Sequence, residues 1–197
     1  MRTEYDPDRM SGRGFYRLLT SVVLPRPIAW VSSVSADGVD NVAPHSFFNV
    51  AAANPPIIQF SSIGEKDSLH NIEATGEFVV NFAGHAMLDE INASSAPYPP
   101  GISEFDAVGI ERAASSRVNV PRVARAVVAL ECRLHSVLPL GDSRVVFGTV
   151  VCASVDDSVL VDGRPDAELL QPLARLGGNE WSTLGEVIRL DRPKSAG

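Results

Sequence analysis

Two stretches of the chain concentrate groups able to hold an anion and a flat heterocycle. The first is Phe60-Ser-Ser-Ile-Gly-Glu-Lys-Asp-Ser-Leu-His-Asn71. A strand pattern ends there in two hydroxyls, Ser61 and Ser62. A glycine-containing loop follows, then a helix start carrying Lys66, Asp67 and Ser68. The first N–H groups of a helix lack intrahelical acceptors and sit at the positive end of its dipole, so they attract anions. With the hydroxyls of Ser61, Ser62 and Ser68 and the Lys66 ammonium, the segment is equipped as a phosphomonoester cradle. Asp67 does not suit direct phosphate contact and reads as the helix N-cap or as a partner for Lys66. Of 17 lysines and arginines only two are lysine, and Lys194 falls in the C-terminal tail. Lys66 thus offers a compact ammonium in a chain that otherwise uses arginine. An ordinary capped helix after a strand has the same pattern, so this stretch alone decides nothing.

The second stretch pairs Arg26-Pro-Ile-Ala-Trp-Val-Ser-Ser-Val34 with Asp40-Asn-Val-Ala-Pro-His-Ser-Phe-Phe-Asn49. A strand that reaches Ala43-Pro44 stops offering ladder donors at the proline. Small Ala43 and Ser46 leave room for a ligand against the main chain. The N–H groups of Ser46 and Phe47 are then free to meet a planar ring with hydrogen-bonding edges. A barrel corner capped by Ser and Asn is the competing explanation.

Other chemistry is missing. There is no GxxxxGK[ST] loop, no GxGxxG after a strand, no HExxH and no GxSxG elbow. His45, His70, His85 and His135 are scattered without metal-ligand spacing, and two cysteines 20 residues apart, Cys132 and Cys152, make no zinc site. Both thiols read as reduced and buried. The expectation is no catalytic side chain and no metal. Either the chain is a binding module, or a bound cofactor performs the chemistry.

The elements that must position these groups are mostly strands. Strand patterns cover 28–34, about 39–43, 57–61, 77–82, 126–138 and 144–155, and 187–190 is a candidate to close the sheet. An Asp37-Gly38 turn predicts a hairpin between the first two. Helices are expected over 14–21, 68–75 with Gly76 as the C′ residue, 85–94, and a short one within 165–176. Hairpins without strand–helix alternation argue for a mainly β (α+β) fold, an antiparallel barrel with short helices over its ends. The chain of 197 residues has room for one domain: residues 15–190, between a flexible N-terminus (1–14) and a C-terminal tail (191–197). A net charge of −7 without a basic run argues against nucleic acid. No apolar run is long enough to span a bilayer, and residues 1–14 lack a secretory h-region, so the expected compartment is the cytoplasm.

A phosphate cradle beside a ring-binding strand edge describes a site for flavin mononucleotide, FMN. The sequence resembles the flavin reductase-like family with the FMN-binding split barrel, in its flavoredoxin-type branch. The resemblance rests on RPIAWVSSV (26–34), NVAPHSFFNV (41–50), PPIIQFSS (55–62), KDSLHNI (66–72), TGEFVVN (75–81), GDSRVVFGTVV (141–151) and ARLGGNEW (174–181). It implies a homodimer of split barrels with FMN near the interface. It also implies ring contacts around Asn41, Ala43, Pro44, Ser46 and Phe47, and phosphate contacts around Ser61, Ser62, Lys66 and Ser68, with Asp67 beside them; His45, within the ring stretch, departs from the family pattern and is a further cofactor-binding candidate. Ser143 stands where the short-chain reductases carry a histidine, and Trp181 where a tyrosine is common. Arg175 is a candidate to reach the active site or the other subunit. The implied activity is hydride transfer from NADH or NADPH to flavin N5, with FAD or riboflavin as exchangeable substrates and a monooxygenase component as a possible recipient. The alternative is an FMN electron carrier without nicotinamide turnover.

Overall fold

The computed structural model describes residues 1–99 and 101–193. Seven strands form its main sheet: β1 (Ala29–Val34), β2 (Asp40–His45), β3 (Phe48–Ala52), β4 (Ile57–Ile63), β5 (Glu77–Phe82), β6 (Val128–Leu140) and β7 (Ser143–Val155). Every neighbouring pair is antiparallel, in the order β2-β1-β5-β6-β7-β4-β3. The two edge strands, β2 and β3, are separated by Ser46 and Phe47 alone. A two-residue link cannot cross a flat seven-stranded sheet, so the sheet curls until its edges meet. No ladder joins those edges. Beside the link the Ser61 N–H donates to the Phe47 carbonyl at 2.9 Å, which extends the β3–β4 ladder by one pair. The architecture is the expected one, an antiparallel barrel split along one seam.

Among the described residues five short α-helices decorate it: α1 (Gly12–Val22), α2 (Asp67–Thr75), α3 (Leu88–Ala93), α4 (Glu104–Val108) and α5 (Ala167–Leu170). None among the described residues is long and apolar enough to cross a membrane. Side chains alternate across each strand. Ala29 and Val31 of β1 point into the barrel with Phe60, Phe78, Val80, Cys132 and Val146. Trp30 points out, against Met87, Ile91 and Phe105 from α3, α4 and the turn before α3. Both faces of β1 are therefore buried, which explains its near-continuous apolar run. Leu69 and Ile72 of α2 reach the barrel core.

Three expectations need correction. Residues 187–190 form no strand. Both barrel edges meet at the seam, and Ile188 and Leu190 stay 81% and 93% exposed. The N-terminal helix begins earlier than expected, at Gly12, because the Ser11 Oγ accepts the Gly14 N–H and starts it there. The thiols are free, but only Cys132 is buried, and Cys152 is half-buried. Burial pushes the Cys132 thiol well above its usual range.

Gly148 has no room for a side chain. It follows an irregularity in the β6–β7 ladder, and a Cβ built there meets the fully buried Phe78 ring, at Cζ and, 2.7 Å away, at Cε1. Gly148→Ala is expected to cost about 1–3 kcal/mol of stability through overpacking. A urea midpoint equal to that of the wild-type protein would contradict this packing.

Candidate functional site

Lys66 precedes α2 in an extended conformation, and no side chain caps the helix. Asp67 is its first helical residue, not the N-cap the sequence suggested. A cap must be extended, and that conformation falls one residue earlier. The N–H groups of Asp67 and Ser68 consequently have no acceptor among the described residues, while those of Leu69 and His70 bond to the Lys66 carbonyl. Asp67 and Ser68 line a cleft of about 210 Å³ together with Asn41, Ala43, Pro44, Glu65 and Lys66. Six of the eleven expected residues therefore share one cavity. Its far wall comes from Ser94, Ser95 and Tyr98 and from Glu104 of α4. Sequence reading missed that wall, because the segment carries only serines after a helix and a five-residue helix between glycines.

The edge strand β2 explains the ring side. The Val42 N–H turns away from β1 and donates to Glu104 Oε2 at 3.2 Å. By alternation the Pro44 main chain also faces outward, and proline supplies no donor there. The next free donors are the N–H groups of Ser46 and Phe47, which have no acceptor among the described residues. Pro44 also lines a second cleft of about 190 Å³ with Ser46, Ser95, Arg175 and Trp181. Ser46 and Phe47 line a third, of about 390 Å³, walled by Leu19, Val23, Pro25 and Phe48. Shared residues join the three in a chain running from Lys66 past Pro44 and Ser46 to Phe47.

Beneath the first cleft lies a buried polar network. Glu104 Oε2 accepts the Asn41 Nδ2–H at 2.8 Å, and Asn41 Oδ1 accepts the Ser68 hydroxyl at 3.0 Å. His45 Nε2 lies 3.5 Å from the same Ser68 Oγ. Burial raises the Glu104 carboxyl above its usual range. His45 is 4% exposed, inside the barrel, with its ring centroid 4.6 Å from that of Phe60. Burial first, and then the Lys66 ammonium, push its pKa down to about 3, so the ring is neutral.

These placements divide the expected residues. Asn41 and Ser68 border the cleft, but their side chains are already paired with each other. Ser68 therefore has its N–H to offer and not its hydroxyl. His45 lies inside the barrel, under the cleft. Ser61 and Ser62 end β4 and do not line the cleft; the Ser62 hydroxyl is buried and directed at the Gly64 carbonyl, 3.5 Å away. Ser143 begins β7, its Oγ 3.0 Å from Asp142 Oδ1. The exposed His70 pairs with Glu65 at 2.6 Å, while His85 and His135 are exposed away from the clefts.

Residues 21–169 match the flavin reductase like domain. The chain belongs to that family. Among solved structures it is similar to nitrilotriacetate monooxygenase component B from Bacillus cereus, 36% identical with a TM-score of 0.93, covering 96% of this chain and 99% of that one. It is also similar to the 2-nitrobenzoate 2-nitroreductase of Pseudomonas fluorescens, 31% identical with a TM-score of 0.91, covering 98% and 97%. A third neighbour is a flavin reductase with a split barrel domain from Shewanella frigidimarina, 21% identical with a TM-score of 0.88 over 98% and 100% of the two chains, which supports the fold. The match to the flavin reductase like domain takes in β1 to β7, the whole curled sheet, together with α2 and its free amides.

Proposed function

We propose that this chain binds FMN along the chained clefts and works as an NAD(P)H-dependent flavin reductase. The observation that carries the reading is a set of free donors at two ends of one groove. The uncapped start of α2 and Lys66 lie at one end, and the Ser46 and Phe47 N–H groups at the other. In this reading Lys66 and the amides of Asp67 and Ser68 hold the phosphate, with Ser61 and Ser62 ending the strand that delivers them. Ala43 and Pro44 give a flat wall without competing donors, and Ser46 and Phe47 orient the ring edge. Bound FMN supplies a hydride-accepting N5, and NADH or NADPH supplies the hydride. The protein then needs only to stack two rings and keep water away, because no proton moves in that step. The neutral, buried His45 accordingly has no acid–base task.

A second copy of the chain is part of the proposal. Tyr16, Leu19 and Val22 on α1, and Val23 just after it, are exposed beside the apolar third cleft, a patch suited to self-association. The neighbouring component B and nitroreductase point to an oxidoreductase whose reducing equivalents pass to a partner oxygenase or to a small acceptor. The test is direct. Purified protein, reconstituted with FMN and desalted, should show the flavin visible spectrum, sediment at twice the chain mass and oxidise NADH or NADPH in steady state. Colourless protein after reconstitution overturns the flavin assignment. Flavin retention without nicotinamide turnover favours the electron-carrier alternative.

A further inference from the structure

Arg26 and Arg175 face each other across a short antiparallel ladder, Arg26 opposite Arg175 and Pro27 opposite Ala174. Like charges at directly opposed positions destabilise a sheet unless something compensates them. Among the described residues no carboxylate lies within ion-pair distance of either, although the chain as a whole carries a net charge of −7. Arg26 is 7% exposed. Its guanidinium is held by the carbonyls of Thr20 at 2.6 Å, Val23 at 2.9 Å and Leu176 at 2.7 Å, and its Nε has no acceptor. Three carbonyl dipoles position this cation without neutralising it. Burial and the nearby Arg175 both hold Arg26 below its usual range.

Arg175 is the more open partner. Its one side-chain hydrogen bond among the described residues goes from Nη2 to the Gly178 carbonyl at 2.8 Å, and its guanidinium sits 4.5 Å from the Trp181 ring centroid. It lines the second cleft with Pro44, Ser46 and Trp181, while Arg26 lines the third with Phe47 and Phe48. Ser46 belongs to both. Two uncompensated cations thus flank Ser46, in cavities with aromatic and proline walls.

We infer that Arg175, backed by the field of Arg26, binds the anionic group of a flat aromatic or heteroaromatic ligand lying beside Trp181 and Ser46. The shared chemistry is a carboxylate or phosphate on an aromatic body. It has two sources, the pyrophosphate of the nicotinamide donor or the acid group of an aromatic acceptor. This rests on the flavin reading above, since Ser46 is where the ring is placed. Arg175 is the binding residue, and Arg26 a positioning residue that also closes the end of α1.

The experiment titrates benzoate, benzamide, NAD+ and nicotinamide into FMN-loaded protein, followed by flavin difference spectra, and into flavin-free protein, followed by calorimetry. At least one charged ligand is expected to bind tenfold or more tightly than its uncharged counterpart. Arg175→Gln, which keeps a donor for the Gly178 carbonyl but no charge, should abolish that preference, and Arg175→Lys should keep part of it. Arg175→Ala is a second neutral variant, with circular dichroism checking its fold. Loss confined to benzoate identifies an acidic acceptor, and loss confined to NAD+ identifies the donor; both support the site. Equal affinity of each charged and uncharged pair, or a preference that survives Arg175→Gln, overturns it. Flavin retention is read from the same spectra, so a failed FMN assignment is seen separately, and the flavin-free titrations still decide the arginine site.

Discussion

Lys66→Ala should weaken FMN binding roughly ten- to a hundredfold while leaving riboflavin binding unchanged, because a charge-assisted contact contributes about 1.5–3 kcal/mol. The two ligands differ by the phosphate alone, so their comparison isolates that end of the groove from the ring end. Lys66 is exposed and pairs with no carboxylate among the described residues, so its loss leaves no buried charge behind. The Asp67 and Ser68 amides remain in the variant. FMN should therefore still bind it more tightly than riboflavin does, through the helix terminus alone. Removing one cation from the phosphate contact also makes the remaining affinity less sensitive to salt. Quenching of flavin fluorescence measures all of these quantities. Equal loss for both flavins would place Lys66 in general folding and not at the phosphate, and unchanged FMN binding would put the phosphate elsewhere.

The sequence carried the strands because each obeys an alternation that burial enforces. Trp30 and Val31 on opposite faces of β1, and Phe78 and Val79 on opposite faces of β5, are visible without coordinates. β3 escaped notice. Its Asn49, Val50 and Ala51 are exposed on an edge, so no apolar period marks them. α4 escaped because it depends on a long-range contact. Its five residues have little helical preference in isolation, and Glu104 is anchored to Asn41 and Val42 more than 60 residues away. The candidate site divides the same way. Lys66, Pro44 and Ser46 were legible from type and local spacing. Arg175 and Trp181 could be noted but not placed until a two-residue ladder set them beside Arg26. That His45 turns into the barrel was not legible, because it depends on how the sheet curls at Ser46 and Phe47.

His45 makes the protein sensitive to mild acid. In the unfolded chain its imidazole titrates at about 6.5, whereas in the folded protein it titrates at about 3. A depressed folded pKa means that the unfolded state binds the proton first, so stability is full above pH 6.5 and is lost as the pH falls toward 3. Between pH 6.5 and 5 the slope rises toward about 1.4 kcal/mol per pH unit, for an expected loss of about 1.6 kcal/mol in all. The Glu104 carboxyl, raised by burial, acts in the opposite sense, since its folded form binds the proton first. Urea unfolding at the two pH values measures the sum, and a ring that cannot titrate isolates the histidine. His45→Phe retains the aromatic contact with Phe60, and His45→Gln retains a polar group near Ser68. Both variants should lose most of the pH dependence over this range. An unchanged slope in both would show that the ring is already solvated and protonated in the fold. Lys66 contributes to this behaviour, because its ammonium is one of the charges keeping His45 neutral. Burial is the larger cause, however, so Lys66→Ala should leave most of the acid slope in place, whereas either His45 variant should remove it.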